Sequence, residues 1–530
     1  MPKGISDKIT FKPYDQSQQW LIPPSIDELV PEPHLVRVVS ETIDELNLED
    51  ILKKYTKGGG ASRFHPVMML KVLIYGYMSG VYSSRHLARA CRENVLFMWL
   101  AGGQKPDFRT INTFRSEKLN GVIQEVLVTT AKMLEAKGYI KLENYFVDGT
   151  KIESASGKYT FVWKKATDTN ERRMDDKIRA FVAAINHVSE EENNEYGERD
   201  LEELGEQATF TSEDLKTLVS TLNDRLASLE ESAENKPVKK KLKKEIKLVE
   251  KDFLVRKEKY EQYRKQFNGR NSFSKTDPEA TFMRMKEDHM LNGQLKPGYN
   301  IQVGCENGFV VGYDIFPNPT DTRTLIPHLE NMKKRFGKLP KEIIADAGYG
   351  SEENYAYLER ENVEATIKYT LWQKEQSRSW KKNQWNTENW KFDEVCDSYE
   401  CPAGKQLSYS HNRINKTASG FRQNLRIYTC QDCGTCELRS ECTRSQEGRS
   451  IQRNEAMIRL KQQARERLAS DIGKKLMRRR AHEVETVFGQ LKANQGFRRF
   501  RTRGIDKVSV EWGLLVLGFN MKRLMGIEGK

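Results

Sequence analysis

Apolar residues recur at helical spacing through the early part of the chain, and further on they give way to the short apolar runs of strands. From residue 41 to 137 the pattern is helical. Leu70, Val72, Leu73, Tyr77 and Met78 recur three and four apart, and Ser83-Ser84 stands where a cap would start a helix carrying Leu87, Ala90 and Cys91. Residues 108–115 open a further helix with a polar start. Arg63, Arg85, Arg92, Arg109 and Arg115 are expected on exposed faces. This region reads either as a helix-turn-helix-like DNA-binding domain or as a small packing domain. Before it, residues 1–40 are Pro-rich and weakly patterned, as in an arm.

The next run, 144–147, is a strand ending in Asp148-Gly149-Thr150. An Asp at the C-terminal tip of an apolar strand sits where α/β folds hold ligands, although Asp-Gly also suits a plain turn. Residues 166–270 are long, charged and helical. Leu215, Leu218, Leu222, Leu226 and Leu229 repeat the helical spacing, as do Leu242, Ile246, Val249 and Phe253 beyond a break at Pro237. That predicts an antiparallel helical hairpin, an inserted spacer or oligomerisation arm.

From Lys275 strands return. Residues 299–303 and 309–314 form a hairpin around Glu306-Asn307-Gly308. A helix follows over 322–336, then a strand over 343–345 stopping at Asp346, a helix over 352–360 and a strand over 365–367. The predicted class is α/β: a ribonuclease-H-like core with a mixed sheet, an antiparallel meander continued by parallel strands. In that arrangement the first and fourth strands are neighbours, so Asp148 and Asp346 converge. Converging carboxylates repel unless a cation lies between them, and hard oxygen ligands favour Mg²⁺ or Mn²⁺.

Residues 478–492 supply the third carboxylate. Val484, Val487, Phe488 and Leu491 form an apolar stripe, and Arg478, Glu485 and Lys492, seven apart, share a face at its edge. Between Asp471 and Arg503, ten Lys and Arg face three acidic residues, with Phe497 and Phe500 interleaved, a mixture suited to nucleic-acid backbone and bases. The whole chain of 530 residues carries a formal net charge of +13, which agrees with a polyanionic partner. No run approaches the length of a membrane span, and the start of the chain has no apolar signal core, so a cytoplasmic location is expected.

Six of the eight cysteines lie between Cys396 and Cys442. Cys430, Cys433 and Cys436 stand three apart, with Cys401 before them and Cys442 after. This spacing suits a structural Zn²⁺ held by Cys401, Cys430, Cys433 and Cys436, with Cys442 as the replacement ligand; iron–sulfur ligation and unligated thiols are the alternatives.

Three signatures resemble those of DDE transposases from bacterial insertion sequences: Val147-Asp148-Gly149-Thr150-Lys151-Ile152-Glu153, Ala345-Asp346-Ala347-Gly348-Tyr349-Gly350-Ser351, and Val484-Glu485-Thr486-Val487-Phe488-Gly489-Gln490-Leu491-Lys492. Within that superfamily the chain is most similar to the group named eleven-eighty-two. The stretch 156–163, Thr276-Asp277-Pro278 and the tail from Gly496 also fit it. The resemblance implies Asp148, Asp346 and Glu485 as a metal-binding triad taking two Mg²⁺ or Mn²⁺ ions, with Glu483 the rival for the third place. It also implies DNA contacts from Lys151, Trp163, Arg478, Lys492, Arg498, Arg499 and Arg503. Related families place an Arg where Ala481 stands here.

The organisation expected is a 1–40 arm, a 41–137 helical domain, a 138–165 first core part, a 166–270 helical insertion, a 271–385 second core part, a 386–450 Cys-rich insertion and a 451–530 tail with the catalytic helix. The function expected is DNA transposition by Mg²⁺-dependent nicking and strand transfer. Its partners are the terminal inverted repeats and target DNA, with a homodimer in the synaptic complex, at the bacterial nucleoid and without a membrane. The alternatives are a ribonuclease-H-like nuclease without strand transfer and a catalytically inactive DNA-binding regulator.

Overall fold

The computed structural model describes residues 25–46, 48–49, 64–193, 209–229, 235–285 and 294–528. The chain divides into two compact units: Met1–Lys118 with Met521–Lys530, and Leu119–Asn520. No helix among the described residues is long and apolar enough to cross a membrane.

The first unit is helical, with helices Leu35–Glu45, Pro66–Met78, Ser84–Glu93, Val95–Leu100 and Phe108–Thr113. The first begins inside the stretch read as an arm. Pro66 starts the second, where its missing N–H costs nothing, and Leu70, Val72, Leu73, Tyr77 and Met78 are all buried. Asn94 and Asp107 cap the last two by accepting backbone N–H groups of their first turns. Arg85, Arg92 and Arg109 are exposed as expected, while Arg63 lies outside the described residues. Arg115 is not exposed. A π turn over Phe114–Lys118 rolls it inward, where it donates to Tyr77 Oη (2.9 Å), the Tyr82 carbonyl (3.0 Å) and Asn112 Oδ1 (3.0 Å). It is a core fastener rather than a DNA contact.

The second unit is built on a six-stranded mixed sheet. Its strands are β1 Asn144–Glu153, β4 Thr281–Arg284, β5 Leu295–Glu306, β6 Phe309–Phe316, β7 Glu342–Gly350 and β8 Glu364–Tyr369; β2 Phe161–Trp163 and β3 Ser272–Ser274 form a separate ribbon. The order is β4-β5-β1-β7-β8, with β6 also paired to β5. Since β1 takes one edge of β5, β6 takes the other, and the core reads β6-β5-β1-β7-β8. β1 runs antiparallel to β5 and parallel to β7, and β7 parallel to β8. The β5–β6 turn has Asn307 and Gly308 both at positive φ, 52° and 75°, the requirement of a tight hairpin turn. Helix Leu325–Phe336 follows a single turn over Asp321–Arg323, and helix Glu352–Arg360 matches the sequence reading. Helix Ile123–Ala136 belongs to this unit, where Gln124 donates to the Tyr313 carbonyl on β6 (3.3 Å).

The segment expected as an inserted two-helix hairpin has, among its described residues, three helical runs. Helices Lys164–Asn193 and Ser212–Ser228 pack with a third run formed by Asn235–Leu248, a π turn and Val255–Phe267. Their shared core includes Ile178, Val182, Leu218, Leu222, Val249 and Phe253. Lys257 is buried there between Glu171 (2.8 Å) and Asp175 (2.9 Å). The first helix escapes a pattern search because Met174, Ile178 and Val182 are thinly spread among charges. The Cys-rich region forms its own five-stranded antiparallel sheet, comprising β9 Lys391–Asp393, β10 Ser398–Glu400, β11 Gln406–Lys416, β12 Arg422–Thr429 and β13 Ser450–Arg453.

Candidate functional site

Neither aspartate ends its strand. β1 continues to Glu153 and β7 to Gly350, but pairing between them stops at Phe146 opposite Ile344. Asp148 and Asp346 each stand two residues further on. They therefore flank the point where the two strands part, which is where a doubly wound sheet opens a crevice. Nothing about an apolar run followed by Asp distinguishes a strand that ends from one that leaves its neighbour.

Helix Asp471–Phe488 crosses this opening. Ser470 caps it, accepting from Gly473 N at 3.0 Å. Leu476, Val484 and Val487 are buried, and Arg480, four residues from each of the first two, lies on the same face. Arg480 reaches both aspartates, Asp148 Oδ2 at 3.1 Å and Asp346 Oδ2 at 3.6 Å, with its own side chain only 12% exposed. Its Nε is buried without a partner. The other Asp148 oxygen accepts Gly149 N at 2.8 Å, and Asp346 Oδ1 accepts Gly348 N at 2.8 Å. A cation bridging two carboxylates, one of them largely buried, answers their repulsion. Sequence reading counted Arg480 only in the basic patch. Its position on the apolar face of the helix, among Leu476 and Val484, was the available signal.

The two glutamates of the helix separate cleanly. At about 100° per residue, Glu483 stands roughly 60° to one side of Arg480 and Glu485 roughly 140° to the other. Glu483 is 11% exposed and committed: it pairs with Arg479 at 2.8 Å and accepts Gly308 N of the β5–β6 turn. Glu485 is exposed, and its carboxylate makes no ion pair or hydrogen bond among the described residues. The helix also loosens into a π turn over Gly489–Asn494, so the seven-residue spacing of Arg478, Glu485 and Lys492 does not hold as a single face. Among the described residues, no group of three or more His, Cys, Asp or Glu side chains is arranged to hold a metal ion.

A second set of residues braces the aspartates from beneath. Asn300 and Gln302 are buried on β5 and donate to Asp321 Oδ1 at 2.7 and 2.8 Å. Tyr349 donates to Gln302 Oε1, and Thr322 to the Gly348 carbonyl at 3.1 Å. Burial, then the negative charge of Asp321, Asp148 and Asp346, holds the Tyr349 phenol well above its ordinary pKa, so it remains a neutral donor. Because Gln302 pairs with Gly149 and Val303 with Asp148, this network occupies the sheet face opposite the Asp148 side chain. None of these residues was singled out from sequence, although Asn300 and Gln302 alternate with apolar neighbours and buried amides must find partners. They also explain Gly149, which is no turn residue: a Cβ there would meet Asp321 Oδ1 at 2.3 Å. Gly149→Ala is expected to cost about 1–3 kcal/mol in a denaturant titration, with part of the loss recovered when Asp321→Ala is added.

The predicted DNA contacts divide. Lys151, Lys492 and Arg498 line one cavity of about 100 Å³ with Lys296 and Glu153, beside the far end of β1. Lys296 pairs with Glu153, and the lining holds four cationic side chains to one acidic one. Arg478 is exposed beside a broad depression that Lys368 and Lys474 also border. Arg499 and Arg503 are spent locally. Arg499 donates to the Ser154 and Ser156 carbonyls (2.9 and 2.8 Å), Arg503 to the Ala155 carbonyl (3.2 Å), together fastening the loop after β1. Phe497 and Phe500 are buried, Phe497 near Trp512 and Phe500 near Tyr299, so they are core and not base platforms. Trp163 packs on Phe161 and Phe282, half-buried, and is not presented for stacking.

The cysteines form a separate constellation. Cys401, Cys430, Cys433, Cys436 and Cys442 line one small cavity, whereas Cys396 is exposed elsewhere. None of the eight cysteines is in a disulfide, and burial pushes the Cys430 thiol up to about 11.

Fold and site thus define a mixed α/β protein with a cation-bridged aspartate pair under a basic helix. Comparison with protein families makes that class more particular. The transposase DDE domain family matches residues 400–525, and the transposase domain family DUF772 matches residues 24–117. Together they support a DDE transposase of insertion-sequence type, and with it a DNA substrate and nuclease or transposition activity in general. The first match includes Glu485 and the five cysteines that line the cavity but neither aspartate; the second covers the five helices named above for the first unit. Comparison with curated proteins and with solved structures finds no match.

Proposed function

We propose that the protein binds the ends of an insertion sequence and catalyses metal-dependent DNA cleavage followed by strand transfer, using a ribonuclease-H-like core. The observation that carries this reading is the Asp148–Asp346 pair, held where β1 and β7 part and bridged by Arg480. Two carboxylates that draw in a guanidinium provide hard oxygen donors at a place requiring positive charge, which fits Mg²⁺ or Mn²⁺. Two such ions, when bound, would supply Lewis-acid stabilisation of the scissile phosphate and of the attacking and leaving oxygens.

The chain's own residues do the rest. Asp148 and Asp346 hold the site, braced by Asp321, Gln302 and Tyr349. Glu485, unlike Glu483, is uncommitted and is the third carboxylate in this reading; it stands roughly 140° around the helix from Arg480, so the helix has to turn to bring it to the aspartates. Lys151, Lys492 and Arg498 neutralise phosphate oxygens beside β1. Water attacks the phosphodiester at the transposon end and frees a 3′-OH. That hydroxyl then attacks a target phosphodiester, one P–O bond forming as one breaks, so neither ATP nor a covalent enzyme intermediate is needed. The first unit, the region of the DUF772 match, serves in recognising the ends. A homodimer brings two ends together.

The test uses purified full-length chain, a labelled inverted-repeat end and supercoiled target DNA, with and without Mg²⁺. Nicked ends joined to target are expected in Mg²⁺ alone. Nicking without joining would leave a ribonuclease-H-like nuclease, and binding without nicking an inactive regulator.

A further inference from the structure

The Cys-rich module has a small core: six buried residues, among them Trp390, Leu407, Tyr428 and Cys430, beneath a sheet whose strand β11 is exposed along nearly its whole length. A core of this size ordinarily needs a covalent or metal staple, yet no cysteine here is paired in a disulfide. Three separate segments deliver thiols to one place. Cys401 opens a tight loop after β10, closed by Cys401 N to the Lys405 carbonyl (2.9 Å) and Gly404 N to the Cys401 carbonyl (2.8 Å). Cys430 follows β12, with Cys433 in the turn Asp432–Thr435, and Cys442 ends the short helix Arg439–Cys442.

The cavity among them has room for little more than one small ion, about 20 Å³. A backbone donor already points at one of the sulfurs: Arg449 N donates to Cys433 Sγ at 3.3 Å. Such an N–H···S contact favours sulfur carrying negative charge, as a metal-bound thiolate does. Cys401, Cys433 and Cys442 pack against the buried cluster that contains Cys430; Cys436 lines the cavity without joining that cluster.

We propose that Cys401, Cys430, Cys433 and Cys442 hold one structural Zn²⁺ that staples the module, with Cys436 a spare thiol at its edge. This exchanges Cys436 for Cys442 relative to the spacing argument, because the fold and not the interval decides which sulfurs share the apolar wall. The four sulfurs line one cavity but do not stand at ligating positions. Zn–S bonds of about 2.3 Å put ligating sulfurs about 3.8 Å apart, so binding has to draw the four thiols inward on a common centre. The staple is independent of the transposition chemistry.

The experiment loads the full-length chain with Zn²⁺ under reducing conditions, removes unbound metal, and measures zinc released by a mercurial thiol reagent. About one zinc per chain is expected for the unaltered protein and for Cys436→Ser, and at least tenfold less for Cys442→Ser and Cys433→Ser. No thiol-held zinc in the unaltered protein, iron in its place, or a full site in Cys442→Ser with an empty one in Cys436→Ser would each overturn the assignment. Because a serine in the module's wall risks misfolding, Co²⁺ titration of the unaltered chain gives an answer without variants. A tetrahedral tetrathiolate spectrum saturating at one equivalent supports the site, and an octahedral spectrum or none refutes it.

Discussion

Alanine at Asp148 or Asp346 is expected to reduce nicking of a labelled transposon end by roughly a thousandfold or more while DNA binding persists. Each substitution takes an oxygen donor from a site whose chemistry depends on concentrated positive charge, and each leaves Arg480 with a single carboxylate partner. Binding is expected to hold or tighten, since a negative charge is lost near phosphate. The helix glutamates should split in the same assay. Glu485→Gln is expected to match the aspartate variants, because in the proposed mechanism that carboxylate turns in to complete the triad and no other group among the described residues uses it. Glu483→Gln should instead lower stability, because Glu483 is spent on Arg479 and on the Gly308 backbone, and leave nicking within about tenfold. Cutting by Glu485→Gln with none by Glu483→Gln would reassign the third carboxylate. Full cutting by both aspartate variants would end the DDE reading of this site.

Glu306→Ala is expected to produce the largest loss of stability from a single polar substitution in the second unit, about 3 kcal/mol. The Glu306 carboxylate is 3% exposed and accepts four consecutive backbone N–H groups: Lys141 (3.0 Å), Leu142 (2.6 Å), Glu143 (2.9 Å) and Asn144 (3.1 Å). It thereby fixes the start of β1, with Leu142 at a φ of 56°, and so fixes where Asp148 falls along the sheet. Truncation strands several of these donors away from water. Glu306→Gln should cost about half as much, since an amide NH₂ cannot accept. Denaturant midpoints of the unaltered protein and the two variants measure this. Equal midpoints for the unaltered protein and Glu306→Ala would show the donors to be satisfied by water instead.

The β5–β6 hairpin, helix Glu352–Arg360 and the buried helix Pro66–Met78 were legible because local chemistry sets them: Asn-Gly at a turn needing positive φ, and apolar spacing matched to one period. Adjacency of the strands bearing Asp148 and Asp346 was legible through their order along the chain. The resemblance to transposases was legible too, through three signatures in order along the chain, and two family matches bear it out. Tertiary structure decided what depends on contacts between distant residues. It placed Arg480 between the aspartates, committed Glu483 to the hairpin and left Glu485 open, a choice two residues apart that spacing does not make. It buried Arg115, Phe497 and Phe500, which composition had assigned to DNA, because a guanidinium with three partners and rings against Trp512 and Tyr299 are worth more inside. It also supplied Asp321, whose meaning rests on Asn300, Gln302 and Gly149 meeting it across the sheet. A periodic pattern records which side of an element is apolar. It does not record which residue of another element waits there, because that depends on the packing of segments more than a hundred residues apart.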